Sequence, residues 1–177
     1  MTLLLQPSAT HIITGCAPLR LADASVFRPP RFEDYKVAVT AARPVAPLAF
    51  DNDPRTKIVP PSARSQAEKG PNFAGHYTII GWGCGSSCLN FAIVDATSGH
   101  ITFPEAVRNI STTHVEVGEG EQNVSFNGLR YRVDSSLLIV LGAVNEDDTA
   151  EGIRYYRWTG AKLTLIRFIE RRKRVCR

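Results

Sequence analysis

Apolar residues in the second half of the chain are grouped in short runs or alternate with polar ones, which is the pattern of β-strands. Two of the runs, 76–82 and 89–95, are apolar on both faces, as in central strands. The Asn127-Gly128 pair just before residue 129 is a strong hairpin-turn signal. The predicted longer strands are His76–Trp82, Leu89–Asp95, Leu129–Val133, Leu137–Leu141, Ile153–Trp158 and Lys162–Ile169, and the predicted short ones are Ile101–Phe103, Thr113–Val117 and Asn123–Phe126.

The first part of the domain has a different pattern, because prolines recur from residue 29 to residue 71. Proline fixes φ and removes a backbone donor, so this stretch is predicted to wrap around the domain in extended segments and turns. One strand is predicted within it, at Tyr35–Val39, where apolar residues alternate with polar ones. A single short helix is predicted at about residues 62–69, between the Pro60-Pro61 pair and Gly70.

These elements predict a mainly β fold, an antiparallel meander closing into a sandwich, a barrel or a propeller-like sheet. A chain of 177 residues is long enough for one domain with a full hydrophobic core. We expect that domain to span residues 25–177. The chain contains no run of eighteen apolar residues, so no membrane-spanning helix is predicted.

Residues 1–24 resemble a degenerate export signal. Ile13-Thr14-Gly15-Cys16 is similar to a lipoprotein signal, in which the cysteine is acylated, and Ala22-Asp23-Ala24 is similar to a cleavage site. No lysine or arginine precedes Arg20, so the basic start of an ordinary signal is missing. The prediction is a periplasmic or secreted protein, with a lipoprotein as one form of it.

The positive charge of the chain is concentrated at its end. Residues 167–177 hold six of the 21 basic residues and one of the 17 acidic ones, which leaves 15 basic and 16 acidic residues elsewhere. The body is therefore close to neutral, and the basic C-terminal tail is interpreted as a solvated terminus. Binding of nucleic acid or of an anionic surface through this tail stays open as an alternative.

Two cysteines, Cys84 and Cys88, lie in a glycine-rich segment between two predicted strands. The spacing has one residue more than a thioredoxin-type redox pair, and the strand pattern on both sides does not suit the helix that a catalytic cysteine of a papain-like protease needs. A structural disulfide fits this spacing better. Cys16 and Cys176 are then left as a second candidate pair.

The segments Asn72–Tyr77, Trp82–Cys88 and Ala92–Asp95 together resemble a family of uncharacterised, mostly proteobacterial exported proteins. In that family a Phe-Ala-Gly-(His/Lys)-Tyr strand leads into Trp-Gly-Cys-Gly-x-x-Cys. The resemblance covers roughly residues 60–167 and implies an exported protein, without an established activity. The architecture of that family loosely resembles that of periplasmic lysozyme inhibitors and effector-immunity proteins.

Two acidic loops and one group of rings are candidate sites. The first loop contains Glu116, Glu119 and Glu121, and the second contains Glu146, Asp147 and Asp148. Loops at the ends of strands often carry binding residues, whereas the pattern of an EF-hand is absent, so neither calcium nor another cofactor or metal is expected. The residues of the candidate pocket are His76, Tyr77 and Trp82.

No catalytic constellation is recognisable among these residues, so the sequence favours a non-enzymatic exported binding protein. An inhibitor or immunity protein that acts on a basic protein partner through its acidic loops is the specific form of this hypothesis. The first alternative is a small extracytoplasmic hydrolase that uses His76 and an acidic loop. The second is binding of nucleic acid through the basic tail.

Overall fold

The structure is a computed structural model that describes residues 11–40, 44–50, 53–118, 121 and 125–173. These residues form one α-helix, α1 (Pro61–Ala67), and short 3₁₀ helices at Leu21–Phe27, Phe32–Tyr35 and Pro54–Ile58. The strands are β1 (His11–Gly15), β2 (Tyr77–Gly85), β3 (Cys88–Asp95), β4 (Ile101–Thr102), β5 (Asn109–Ser111), β6 (Leu129–Arg130), β7 (Leu137–Val144), β8 (Gly152–Trp158) and β9 (Leu163–Lys173).

The strands form one mixed sheet in the order β1-β9-β8-β7-β5-β3-β2, with β4 added to β3 and β6 added to β7. All neighbours are antiparallel except β1 and β9, which are parallel. The predicted mainly β, largely antiparallel fold is confirmed. The sheet is open, with β1 and β2 at its two ends, so the barrel alternative is wrong.

The strand β7 is the centre of the sheet, since all eight of its residues are buried. Because side chains alternate between the faces of a strand, Leu138 and Val140 enter one core cluster, whereas Leu137 and Ile139 enter another. The first cluster also takes in side chains of β2, β3 and β8, so it joins both halves of the sheet. The 3₁₀ segments of the N-terminal region cover the second cluster.

A third cluster lies between β2, β3 and α1. Ala63 and Ala67 of α1 and the preceding Val59 pack against Ile80 of β2 and Ala92 of β3. The helix begins one residue before the predicted segment because proline suits the first helical position. The predicted strand Tyr35–Val39 is wrong, since Tyr35 ends a 3₁₀ helix and only Lys36 forms an isolated bridge, to Ser135. The predicted short strand Thr113–Val117 is also wrong, since only Val115 forms a bridge, to Leu19.

Both ends of the described chain belong to the sheet. Residues 167–173 of the basic stretch form the second half of β9, and Arg171 is buried there, donating to the carbonyls of His114 and Ala17. Residues 11–27 form β1 and a 3₁₀ helix, and their role as an export signal stays a prediction. Cys16 is disulfide-bonded, and Gly15 lies opposite Lys173. Cys176 lies outside the described residues, so the Cys16–Cys176 pairing also stays a prediction.

The motif Asn72–Tyr77 forms the turn that leads into β2. Phe73 and Tyr77 exchange two backbone hydrogen bonds of 2.9 Å, and the turn between them places Ala74 and Gly75 at positive φ. A Cβ atom on Gly75 would come within 2.5 Å of the Ala38 carbonyl oxygen, which explains the glycine. The amide of Gly75 donates to Val133, so the turn is also tied to the segment before β7.

Two side-chain amides cap the outer edge of β2. The amide of Asn72 both accepts from the Ile79 N–H (2.7 Å) and donates to the Ile79 carbonyl (3.1 Å). Gln66 of α1 does the same for Gly81, at 2.9 and 3.0 Å. Each amide thus replaces one residue of a neighbouring strand. An uncapped edge would be a template for pairing with another chain, so these amides keep β2 as an end of the sheet.

We expect Asn72→Ala and Gln66→Ala each to lower the free energy of unfolding by about 1–3 kcal/mol, because a backbone donor and acceptor lose their partner. Self-association should rise with the exposed edge. Denaturant unfolding and sedimentation velocity measure the two effects. Asn90→Ala is the control, since the Asn90 amide makes no hydrogen bond with the described residues; an equal loss of stability in that variant would contradict the capping role.

Candidate functional site

The hairpin between β2 and β3 ends in the disulfide Cys84–Cys88, as predicted, with the two Cα atoms 5.0 Å apart. Gly85 and Ser87 adopt positive φ in the tight turn between them. The Ser87 carbonyl accepts from the Thr112 N–H (2.7 Å) and hydroxyl (3.2 Å), which fixes the hairpin to the segment after β5. The disulfide closes a ring of only five residues, so its effect on stability is about 2 kcal/mol. Its main effect is to set the local shape.

The predicted pocket residues His76, Tyr77 and Trp82 do not lie together. Tyr77 and Trp82 are five residues apart in one strand, so they lie on opposite faces of the sheet and about 16 Å apart along it. Tyr77 packs against Trp158, with 5.3 Å between ring centroids, whereas Trp82 packs with the α1 cluster. His76 lies beside Tyr77, with its Nε2 atom 3.8 Å from Asp95 Oδ1.

Trp82 instead belongs to a row of side chains across three strands. Trp82 of β2 lies opposite Asn90 of β3, which in turn lies opposite Asn109 of β5. Residues directly opposite each other share a face of the sheet. This row forms the floor of a small cavity of about 190 Å³. Its other lining residues are Arg55, Ile58, Phe91, Phe103, Pro104, Val107 and Arg108.

One wall of this cavity is held by an ion-pair network. The guanidinium of Arg55 lies over the Phe103 ring, 5.0 Å from its centroid, and bonds Asp53 (2.7 Å) and Glu105 (2.5 Å). The hydrogen bonds that Arg55 donates lower the pKa of Asp53, and acceptance of these bonds by the Asp53 and Glu105 carboxylates raises the pKa of Arg55. Asp53 and Arg55 are therefore both charged at neutral pH, and this ion pair holds the Arg55 guanidinium in place.

The second acidic loop lies next to Arg108 and Asn109, two residues that line the cavity. Glu146, Asp147 and Asp148 are exposed. Asn145 and Glu146 both have positive φ. This backbone conformation is unfavourable for residues other than glycine and persists only where the surrounding contacts fix it. We call residues 145–148 the acidic turn.

The acidic turn is fixed by side-chain amides. Asn145 accepts from the Arg108 N–H at 2.7 Å and donates to the Ala106 carbonyl at 3.2 Å. The side-chain oxygen of Asn109 accepts a hydrogen bond from the Glu146 N–H at 3.2 Å. The exposed carboxylates are thus attached to a backbone whose conformation is set by β5 and the segment before it.

Asp147 has its own support within the loop. Its Oδ1 atom accepts from the hydroxyl (2.5 Å) and the N–H (3.1 Å) of Thr149. The hydroxyl bond makes the largest contribution to lowering the pKa of Asp147. The carboxylate therefore stays charged well below neutral pH.

The first acidic loop is bound to arginines of the same chain. Glu116 pairs with Arg20 at 2.6 Å, and both side chains are about half exposed. Glu121 pairs with the buried Arg130 through two bonds of 2.7 and 3.0 Å, and it also accepts from the Gly118 N–H. Glu119 lies outside the described residues. Glu121 is therefore a structural residue, because its negative charge balances the buried positive charge of Arg130.

A larger cavity of about 890 Å³ lies between α1 and the segment 44–50. Its lining is mostly aliphatic and includes Val45, Leu48, Phe50 and Val133. Residues 41–43 and 51–52 border the lining residues in sequence and lie outside the described part of the chain, so we assign no ligand to it.

The described residues contain no group of three or more His, Cys, Asp or Glu side chains placed to hold a metal ion. Within the same part of the chain, no helix has the length and apolar character needed to cross a membrane. No protein-family model matches the chain, and neither a curated protein nor a solved structure is significantly similar to it.

Sequence reasoning missed the residues that connect the site: Asn90, Asn109, Phe103, Arg55 and Arg108. One signal was present, since Asn90 is a polar residue within an otherwise apolar strand. Its neighbours across the sheet depend on the register of β3 with β2 and β5, which the sequence does not reveal.

The Glu121–Arg130 pair predicts a pH dependence. The hydrogen bonds from Arg130 and Gly118 hold the pKa of Glu121 below its usual value, so this carboxylate stabilises the fold above about pH 4.5, and its contribution is lost as the pH falls through the lowered pKa. We expect Glu121→Gln to cost about 3 kcal/mol at pH 7, because Arg130 keeps a buried charge without its partner.

The matched control is Glu116→Gln, whose ion pair is exposed and is worth about 0–1 kcal/mol. Denaturant unfolding at pH 7 and at pH 3 measures both variants. The difference between wild type and Glu121→Gln should shrink at the lower pH. A Glu121→Gln variant as stable as Glu116→Gln at pH 7 would show that the buried pair does not stabilise the fold.

Proposed function

We propose that this chain is a non-enzymatic exported binding protein that recognises a basic protein partner through its acidic turn. The observation that carries the proposal is that Glu146, Asp147 and Asp148 are exposed on a backbone fixed by Asn109 and Asn145. A loop that is ordered before binding avoids part of the entropy cost of association. Negative charges on it would steer a positive partner and speed the encounter.

The disulfide between Cys84 and Cys88 supports an extracytoplasmic location, because disulfides persist in oxidising compartments. We propose the periplasm or secretion on this ground together with the motif resemblance. An inhibitor or immunity protein acting on a basic enzyme is the specific form that we propose. Of the two acidic loops, the acidic turn is the better candidate, because Glu116 and Glu121 already pair with Arg20 and Arg130.

The hydrolase alternative would depend on His76, which lies 3.8 Å from Asp95. The acidic turn joins the sheet at the level of Trp82 and Asn90, about 16 Å along β2 from the His76–Asp95 pair. Combined use of His76 and this turn in one reaction is therefore not favoured. The tail alternative would depend on residues 167–173, which are part of β9, together with residues 174–177 outside the described chain.

The test replaces the three carboxylates by amides of the same shape, Glu146→Gln, Asp147→Asn and Asp148→Asn. We expect the fold to be retained. The side-chain oxygen introduced by Asp147→Asn can still accept the hydrogen bonds from Thr149. Substitutions of exposed residues cost about 0.5 kcal/mol or less in the free energy of unfolding. Affinity for basic proteins should fall about tenfold. Most of this loss should come from slower association, and the effect should be largest at low salt. Surface plasmon resonance with lysozyme, cytochrome c and a basic ribonuclease measures this.

A charge-matched control removes three exposed carboxylates elsewhere, with Asp23→Asn, Asp34→Asn and Glu68→Gln. This control should keep wild-type affinity if recognition is local to the acidic turn. An equal loss in the control, or no binding of any of the three proteins by wild type, would contradict the proposal.

A further inference from the structure

The cavity floored by Trp82, Asn90 and Asn109 has the size of a site for one compact group. Its volume of about 190 Å³ corresponds to about six water molecules. Pockets for drug-sized ligands are larger, about 300–1,000 Å³. One ring with its substituents is therefore the largest ligand that it can enclose.

The walls combine flat aromatic surface with unused polar groups. Trp82 and Phe103 supply the rings, and Trp82 is only partly buried. The side-chain amide of Asn90 makes no hydrogen bond with the described residues, and the exposed guanidinium of Arg108 forms no ion pair with them. Apolar walls with a few convergent polar groups are typical of small-molecule sites. The amide of Asn90 can both donate and accept, and Arg108 can donate.

The charges around the cavity are nearly balanced. Two guanidinium groups, Arg55 and Arg108, line it. Asp53 and Glu105 bond Arg55, and the Glu146 carboxylate lies 3.4 Å from the Asn109 amide nitrogen. A cationic ligand would meet Arg108 directly, whereas an anionic ligand would approach three carboxylates. A neutral ligand with several donors and acceptors avoids both penalties.

From these features we infer that the cavity is a binding site for a neutral sugar ring, either a free monosaccharide or the terminal residue of a glycan. The C–H face of a pyranose ring carries a slight positive charge and packs on the negative face of an aromatic ring such as that of Trp82. Its hydroxyl groups donate and accept, which suits the Asn90 amide and the Arg108 guanidinium. Binding of a sugar in this cavity would be independent of the protein binding proposed for the acidic turn.

The experiment uses the indole N–H signals of the folded, disulfide-intact protein in ¹⁵N NMR. The chain has two tryptophans, of which Trp82 lines the cavity and Trp158 is buried in the core, so Trp158 is an internal reference. The probes are glucose, galactose, N-acetylglucosamine, their methyl glycosides and chitotriose, with sodium acetate and N-acetyl-lysine amide as charged comparisons.

We expect at least one neutral sugar to shift the Trp82 signal saturably at millimolar concentration and to leave Trp158 unchanged. If the methyl glycosides or chitotriose bind more tightly than the free monosaccharides, the natural ligand is the terminal residue of a glycan. Asn90→Leu and Arg108→Met should each weaken the binding about tenfold, because each removes a polar partner. Arg157→Met, at an exposed arginine of β8, is the matched control and should bind as wild type does.

Two results would overturn the inference. One is that no neutral sugar moves the Trp82 signal, and the other is that acetate or the lysine amide moves it while the sugars do not. Equal weakening in Arg157→Met would also count against the cavity as the site. None of these results depends on whether the acidic turn binds a basic protein.

Discussion

The close approach of β5 to β7 is the contact on which the rest of the structure depends. Gly142 of β7 has a φ of 118°, and a Cβ atom there would collide with the Ser111 carbonyl of β5. Only glycine therefore permits this approach. The three-residue strand β5 is in turn the only link in the described sheet order between β7 and β3. Both halves of the sheet, and the core cluster that they share, are positioned by it.

The candidate site follows from the same contact. Beyond the pair Ile110–Val144, the ladder between β5 and β7 continues with the bond from the Asn145 N–H to the Asn109 carbonyl, at 3.1 Å. The side chain of Asn109 then fixes the acidic turn on one side and forms part of the cavity floor on the other. One short strand thus sets the geometry of a charged surface and of a neutral cavity.

The sequence predicted the strands with a long apolar pattern, because burial on both faces leaves a clear signal. Leu137–Leu141 lies within β7 and Leu89–Asp95 within β3. It did not predict β1 or β5. The strand β5 has three residues of mixed polarity, and its partners in β3 and β7 lie 19 to 34 residues away along the chain. The alternation at Tyr35–Val39 was misleading, because this segment lies along the surface of the core without joining the sheet ladder.

For the site, the sequence identified the acidic turn and Trp82 but not that Asn109 connects them, since it bonds the turn and lines the same cavity as Trp82. The pairing of Glu116 with Arg20 was also hidden, since these residues are 96 positions apart. Charges that have no partner nearby in sequence can thus be neutralised by residues that are distant in sequence. Sequence alone therefore overestimates how much of an acidic segment is free to bind.

Amide hydrogen exchange of the acidic turn tests most directly whether β5 and β7 order it before any partner binds. The N–H groups of Asn145, Glu146 and Asp147 donate to Asn109 and Val144, whereas that of Asp148 makes no hydrogen bond with the described residues. The first three amides should exchange at least about tenfold more slowly than in an unstructured peptide, and the Asp148 amide should exchange close to the peptide rate. Peptide-like exchange at all four amides would contradict a preformed acidic turn.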